Sequence, residues 1–420
     1  MTAKIPKHWK IKKLGDVLEI FPTASYSRSE LSDEGEMQYI HYGDIHTKFD
    51  SLLEITDDTL PKISKSKGEK YETIQLGDLV MVDASEDYQG VGKSTEVIAL
   101  SRYNTIAGLH TFLLRDKGKY FCLGYKGYIT MSDYVKKQLY IAATGTKVYS
   151  LSKESLKLIQ LPIPPLEEQE KIAEILLSCD KAIRLTTQII TQLKQRNQGL
   201  AQQLLTGEKR VKGFENSVWK EVRLGEIGEI SSAGVDKKVI EGEKPIRLLN
   251  YLDVYKRNFI HSDELTHWVT TTDEKIQKCN ILQGDVFFTP SSEVRNDIAI
   301  SAVAIEDIEE AVYSYHIVRL RFKKKIDLNF KAFMFKTDFF FKQAQFLSEG
   351  SGTRYVISQS NFRNIKIFLP TYEEQKIIGN ILVKAEKELK LYEQKLQLLQ
   401  AQKKTLMQKL LTGEVLTIKK

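Results

Sequence analysis

Cysteine is scarce in this chain: Cys122, Cys179 and Cys279 are the only three in 420 residues, odd in number and far apart. That count excludes a disulfide framework and fits a reducing compartment, so the cytoplasm is the expected location. Apolar runs are short. None approaches the ~18 residues of a membrane span, although the hydrophobic content is an ordinary 42%, so no membrane association is expected. The opening MTAKIPKHWK has neither the apolar core nor the small-residue cleavage site of a secretory signal. Metal-ligand spacing is missing as well. His41, His46, His110, His261, His267 and His316 stand apart from one another and from any cysteine pair, so no metal site is expected.

A nucleotide-binding loop is nearly present but incomplete. Tyr88 to Ser94, YQGVGKS, ends in the Gly-Lys-Ser of a phosphate-binding loop, yet the position that must be glycine is Asp87. Its carboxylate would repel phosphate. The following TEVIAL, Thr95 to Leu100, reads as a strand where a helix is required. The formal charge of +7 permits a polyanionic partner, but spread over this length it decides nothing alone.

What is abundant is repetition. WKIKKLGDV, from Trp9, returns as WKEVRLGEI from Trp219, and Ile40-His41-Tyr42-Gly43-Asp44-Ile45 returns as Leu249-Asn250-Tyr251-Leu252-Asp253-Val254. Gly77-Asp78-Leu79-Val80 matches Gly284-Asp285-Val286-Phe287, and Gly145-Thr146-Lys147 matches Gly352-Thr353-Arg354. Glu167-Glu168-Gln169 and Leu205-Thr206-Gly207-Glu208 pair with Glu373-Glu374-Gln375 and Leu411-Thr412-Gly413-Glu414. Two units of this length cannot be a solenoid, so the chain is a duplicated module.

Each half opens with about 160 residues of mixed strand and short helix and closes with one long helix, over Glu167 to Thr206 and Glu373 to Thr412. Prolines end the preceding strand, acidic residues favour the helix start, and Gly207 or Gly413 closes it. A heptad seam runs through the first helix at Ile172, Leu176, Cys179, Ile183, Thr186, Ile190, Leu193, Asn197, Leu200 and Leu204. The second carries Ile378, Leu382, Ala385, Leu389, Tyr392, Leu396, Leu399, Lys403, Leu406 and Leu410 at matching places. About thirty-three residues of seam span roughly 50 Å, more than packing on one domain needs. A spacer is expected, with Asn197 and Lys403 setting register. The alternative is a helix packed on its own domain. Burying both seams against each other predicts an antiparallel pair, a pseudo-twofold axis and two modules facing the same side, as dimeric DNA readers are arranged over two half-sites.

The proline-rich lead, the Glu-Glu-Gln, the long helix and the LLTGE exit, occurring twice after openings in W…LG, resemble the specificity subunit of type I restriction-modification enzymes. The resemblance spans nearly the whole chain, with one departure: Pro370-Thr371-Tyr372 stands where the first half has Pro162-Ile163-Pro164-Pro165-Leu166. It implies an α+β chain of two similar mixed α/β target-recognition domains joined by two long antiparallel coiled-coil helices. The boundaries are residues 1–165 for the first domain, 166–207 for the first helix, 208–370 for the second domain with a linker at 208–217, 371–413 for the second helix and 414–420 for the tail. It also implies double-stranded DNA as target, two methyltransferase subunits packed on the helices, and two restriction/translocase subunits reached through them. The chain itself would be non-catalytic and without cofactor. It has no Asn/Asp-Pro-Pro-Tyr/Phe motif, no glycine-rich cofactor loop and no nuclease or helicase signature. A stand-alone DNA-bridging scaffold and a nucleotide-hydrolysing enzyme remain the competing readings.

In a duplicated protein the frame should agree between halves while a sequence-reading loop should not. After the matching Gly-Asp pairs the halves diverge, which assigns Gly90, Gly92 and Lys93, and Ser292, Arg295 and Asn296, to loops approaching DNA. Arg295 suits guanine and Asn296 adenine in the major groove; a solvent-exposed hairpin is the plain alternative. Lys147 and Arg354 are expected as phosphate clamps. Tyr26, Arg28, Lys237 and Lys238, in polar loops after each module's first strand, are further candidates, with a solvated loop as their other role. His110 and His316 occupy matching places, expected on strands in a buried or capping role ahead of a DNA contact.

Overall fold

The computed structural model describes residues 5–232, 234–351 and 353–417, so Gly352 of the second Gly-Thr pair lies outside them. The chain forms two compact units, Met1–Thr187 with Lys395–Lys420, and Gln188–Gln394.

The first unit is built on a five-stranded sheet in the order Leu18–Phe21, Thr111–Asp116, Leu79–Val82, Ser94–Ala99, Leu52–Glu54. Neighbours are antiparallel except the last pair. The strand Leu79–Val82 is buried at every position, as expected where both sheet faces are covered. Before it Gly77 takes φ +85°, the left-handed turn that favours glycine, and Asp78 receives Arg115 Nε and Nη2 at 2.9 and 2.7 Å. A second, three-stranded sheet runs Lys62–Ile63, Met37–Ile40, Asn104–Ala107.

The second unit repeats this plan. Its sheet runs Gly228–Ser231, Val318–Phe322, Val286–Phe288, Ser301–Ala304, Phe259–Ile260, the same order in corresponding strands. Gly284 again takes φ +83°, and Asp285 receives Arg321 Nε and Nη2 at 2.8 and 2.6 Å. The Gly-Asp pair is therefore a turn plus an anchor for the neighbouring strand's arginine. The smaller sheet differs, with four strands in place of three: Trp268–Thr271, Lys244–Leu249, Ile308–Tyr313, Asn280–Ile281.

The long helices span Leu166–Thr206 and Tyr372–Leu411, and each starts in one unit and ends in the other. Within a unit they run antiparallel: Lys194 pairs with Glu393 and Arg196 with Glu388, so one number rises as the other falls. Every predicted seam residue is buried or half-buried. The seam does not face only the other helix, however. Ile172 and Leu176 belong to the first unit's core together with Leu410, and Ile378 and Leu382 to the second unit's core together with Leu204. The polar seam positions bond across the pair: Asn197 Nδ2 donates to the Ala385 carbonyl at 2.9 Å, and Lys403 Nζ meets the Asp180 carboxylate.

The Glu-Glu-Gln motif has a structural reason. Glu168 accepts from the Trp9 indole at 3.0 Å, while Gln169 accepts from the Cys122 amide and donates to the Pro164 carbonyl. Glu374 accepts from Trp219 at 3.0 Å, and Gln375 accepts from the Asp327 amide and donates to the Pro370 carbonyl. The same lock forms despite the shorter proline run before the second helix. The exit glycines Gly207 and Gly413, at φ +75° and +71°, face Trp219 and Trp9 respectively.

Candidate nucleic-acid interface

In both units the variable segment after the central strand makes one 3-10 turn, Tyr88–Gly90 or Arg295–Asp297, leaning on a short helix, Tyr42–Thr47 or Tyr251–Tyr255. Ser94–Ala99 is strand, so no helix follows the Gly-Lys-Ser.

The glycines of that sequence are required by the frame. A Cβ on Gly90 would come within 2.5 Å of Ser85 Oγ and 3.0 Å of the His46 ring. Gly92 is buried at φ +74°, where Leu139 Cδ1 would stand 2.8 Å from a Cβ. Its counterpart Ala299 is also buried, at φ +62°. The space expected for a phosphate or base edge is therefore filled by protein, and Gly90 and Gly92 shape the loop from behind. Lys93 is half-buried, with Nζ donating to the His46 carbonyl at 2.9 Å. The loop's outward positions are Glu86, Asp87, Tyr88 and Gln89, and in the second unit Glu293, Val294, Arg295 and Asn296.

The second unit opens a cleft of about 500 Å³ at this place, with Lys237, Tyr251, Tyr255, Ser292, His316 and Arg354 on its walls. The two tyrosine rings stack at 5.6 Å, the Tyr255 hydroxyl donates to Asp297 at 2.7 Å, and Arg354 Nη2 donates to Ser291 Oγ at 3.0 Å. Burial and the nearby Lys237 and Arg354 hold the His316 imidazole below its usual range, favouring the neutral ring. Arg295 is turned aside: its guanidinium lies over Tyr355 and donates to Ser348 Oγ and carbonyl at 3.2 and 3.1 Å. Asn296 is exposed, and Lys238 is exposed and paired with Asp236.

The first unit gathers Tyr42, His46 and His110 at the corresponding place, with Tyr42 edge-on to His46 at 6.2 Å and to His110 at 5.5 Å. Arg28 reaches the same helix by pairing with Asp44 at 2.7 Å. Burial lowers the His41 and His46 pKa values, helped by Arg28 for the first and Lys93 for the second. Burial raises that of Asp83, which sits 3.3 Å from His110 and is partly offset by it. Tyr26 lies elsewhere, its hydroxyl donating to the Lys67 carbonyl beside Tyr71.

Two expectations are corrected here. His110 and His316 sit on turns ahead of their strands, and His110 takes φ +56° and is exposed. Lys147 and Arg354 are not structural equivalents. Tyr149 pairs with Ser85 and Tyr355 with Ser292, so Arg354 corresponds to Val148, and the second loop is one residue longer from its left-handed glycine, Gly350, than the first from Gly145. Both basic residues are nonetheless exposed, each in a segment that pairs with the strand before the variable loop. Sequence reasoning passed over Tyr42 and Tyr251, although the tyrosine stands in both copies of the matched hexapeptide and was the available signal.

Among the described residues no group of acidic, histidine or cysteine side chains could hold a metal ion, and no helix is long and apolar enough to cross a membrane. The family model for the type I restriction modification DNA specificity domain matches twice, over residues 6–195 and 216–401. The chain belongs to this family. It is 27% identical, over 98% of its length and 95% of the relative's, to the putative type I restriction enzyme MjaX specificity subunit of Methanocaldococcus jannaschii. Identity is 22% to the StySPI specificity subunit of Salmonella potsdam, over 89% of this chain and 81% of the other. The fold matches the S subunit of a type I restriction-modification system from M. genitalium, with TM-score 0.53 at 14% identity, covering 98% and 97% of the two chains. It also matches a chain from a study of complex assembly and conformational transition in the type I system, with TM-score 0.61 at 16% identity, covering 98% and 100%. Each match covers one five-stranded sheet and reaches into the long helix that follows it in sequence.

Proposed function

We propose that this specificity subunit is a non-catalytic reader of an asymmetric, bipartite site on double-stranded DNA, one half-site for each domain. The carrying observation is that two domains with one sheet order keep Tyr42 and Tyr251, and His110 and His316, at matching places while the side chains around them differ: His46 against Tyr255, Val148 against Arg354, and the exposed loop residues 86–89 against 293–296. A shared frame with unlike readers suits a target of two unlike halves. The helices set the spacer between half-sites and dock two methyltransferase subunits, through which two restriction/translocase subunits join. Adenine methylation and cleavage then belong to the assembled enzyme. Lys147 and Arg354 hold phosphates, Asn296 touches a base edge, Arg295 joins it on leaving Ser348 and Tyr355, and Arg28, Lys237 and Lys238 add positive charge nearby.

Methylome sequencing of a host carrying the intact system tests this. Adenine methylation is expected at one split motif, lost when the methyltransferase gene is deleted. Adenine methylation by the purified chain alone, or a single continuous motif, would contradict it. Inserting four residues before Leu205 should lengthen the preferred spacer and leave the half-site bases unchanged, as selection from a random DNA library would show.

A further inference from the structure

Among the described residues Ile141 and Phe346 are the most exposed large hydrophobic side chains, each at 85%. They occupy one structural position in the two repeats. The helices Asp133–Ala142 and Asp338–Leu347 are ten residues each, and Ile141 and Phe346 are the penultimate residues. The helices bury other residues, Val135 and Leu139 in one and Phe340 and Ala344 in the other, so folding does not call for an apolar side chain at the penultimate place. A single exposed hydrophobic residue needs no explanation; the same costly exposure twice at equivalent positions does.

The surroundings indicate the ligand. The end of the first helix rests on the variable loop: the Tyr88 hydroxyl donates to the Tyr140 carbonyl at 2.7 Å, and the two rings lie 5.0 Å apart. At the end of the second, the Ser348 carbonyl receives Arg295 of the corresponding loop. One turn earlier each helix carries an exposed lysine, Lys137 or Lys342, four residues before the apolar one and so on the same face. The neighbouring strap adds exposed Lys147 or Arg354. A bulky apolar tip beside cations, next to a reading loop, matches a ligand with charged phosphates flanking flat apolar base faces.

We propose that Ile141 and Phe346 are apolar wedges that press into a base step of the half-site held by their own domain, with Lys137 and Lys342 on the flanking phosphates. The inference rests on the DNA-reading function proposed above and adds to it a device for unstacking bases. It explains why the side chains differ while their exposure does not: a phenyl ring and a branched aliphatic tip favour different steps.

The test uses the chain assembled with its methyltransferase subunits and duplexes carrying 2-aminopurine in one half-site or the other. Binding should change the fluorescence in both. Phe346→Ala should abolish the change in one half-site and weaken specific binding on the order of ten-fold, with Phe346→Leu recovering part of it. Ile141→Ala should act only on the other half-site. Unaltered fluorescence and affinity in both variants would overturn the proposal. So would loss of methyltransferase co-elution with unchanged fluorescence in the complex that remains, which would mark a protein contact. If the unsubstituted assembly bound no DNA specifically, the recognition function itself would fall first.

Discussion

Trp9 donates its indole N–H to Glu168 at 3.0 Å, tying the residue before the first strand of its domain to the first turn of the long helix, and Trp219 does the same with Glu374 at 3.0 Å. Glu168→Ala leaves that donor buried without a partner, an expected cost of about 1–3 kcal/mol. Glu374→Ala should cost more, because it also removes the carboxylate facing the always-charged Arg210 guanidinium at 3.1 Å, where Glu168 has His8 at 2.7 Å. Urea unfolding of each variant checks the order; equal stability in both would show that the lock does not hold the helices.

A buried ion pair in the first domain has no copy in the second. Lys126 Nζ lies 3.0 Å from Glu96, whose other contacts are the Gly124 and Gly127 amides, and both side chains are almost wholly enclosed. The corresponding strand position in the second domain is Val303, and Lys331 there donates to the Gly284 carbonyl. Glu96→Val alone should destabilise by about 3–5 kcal/mol, and adding Lys126→Met should recover the part owed to the stranded lysine but not the part owed to the two amides. A double variant as unstable as the single would contradict this.

The histidine cluster sets a pH dependence. His41 and His46 have folded pKa values lowered from 6.5, first by burial and then by Arg28 and Lys93. The unfolded chain therefore takes up protons more readily as pH falls below that value, and stability present at pH 7 is lost toward acid. Thermal melts between pH 7.5 and about pH 5 should fall more steeply for the native chain than for His46→Gln; parallel curves would exclude the cluster as the source.

The duplication, the strand after Ser94 and both long helices were legible in the sequence because each rests on local signals: repeated turn residues, β-branched runs and an unbroken heptad. Less was legible at the site. Gly90 and Gly92 read as a phosphate cradle, but whether a glycine serves a ligand or a neighbour depends on what fills its missing Cβ space, and here that is Ser85, His46 and Leu139. Arg295 pairs with Ser348 and Tyr355 through contacts about fifty residues away in sequence, which no local pattern reports. The pairing of Lys147 with Arg354 failed by one residue because loop length, set by Gly145 and Gly350, differs between the halves.

The exposed basic residues and the base-contacting ones should separate by salt. Lys147→Ala or Arg354→Ala should weaken binding at all sequences alike and reduce the salt slope by about 0.9 for each phosphate no longer neutralised. Arg295→Ala should instead relax preference at one position, at ~1–3 kcal/mol. The same sequence-independent weakening from all three would remove the distinction between clamps and readers.

Whether each domain reads its own half-site is decided by selecting binding sites from a random DNA library with the assembled enzyme carrying Tyr251→Ala and Arg354→Ala together. The expected product is a split motif in which one half is degraded and the other keeps its bases; a motif altered in both halves, or in neither, would refute independent reading by the two domains.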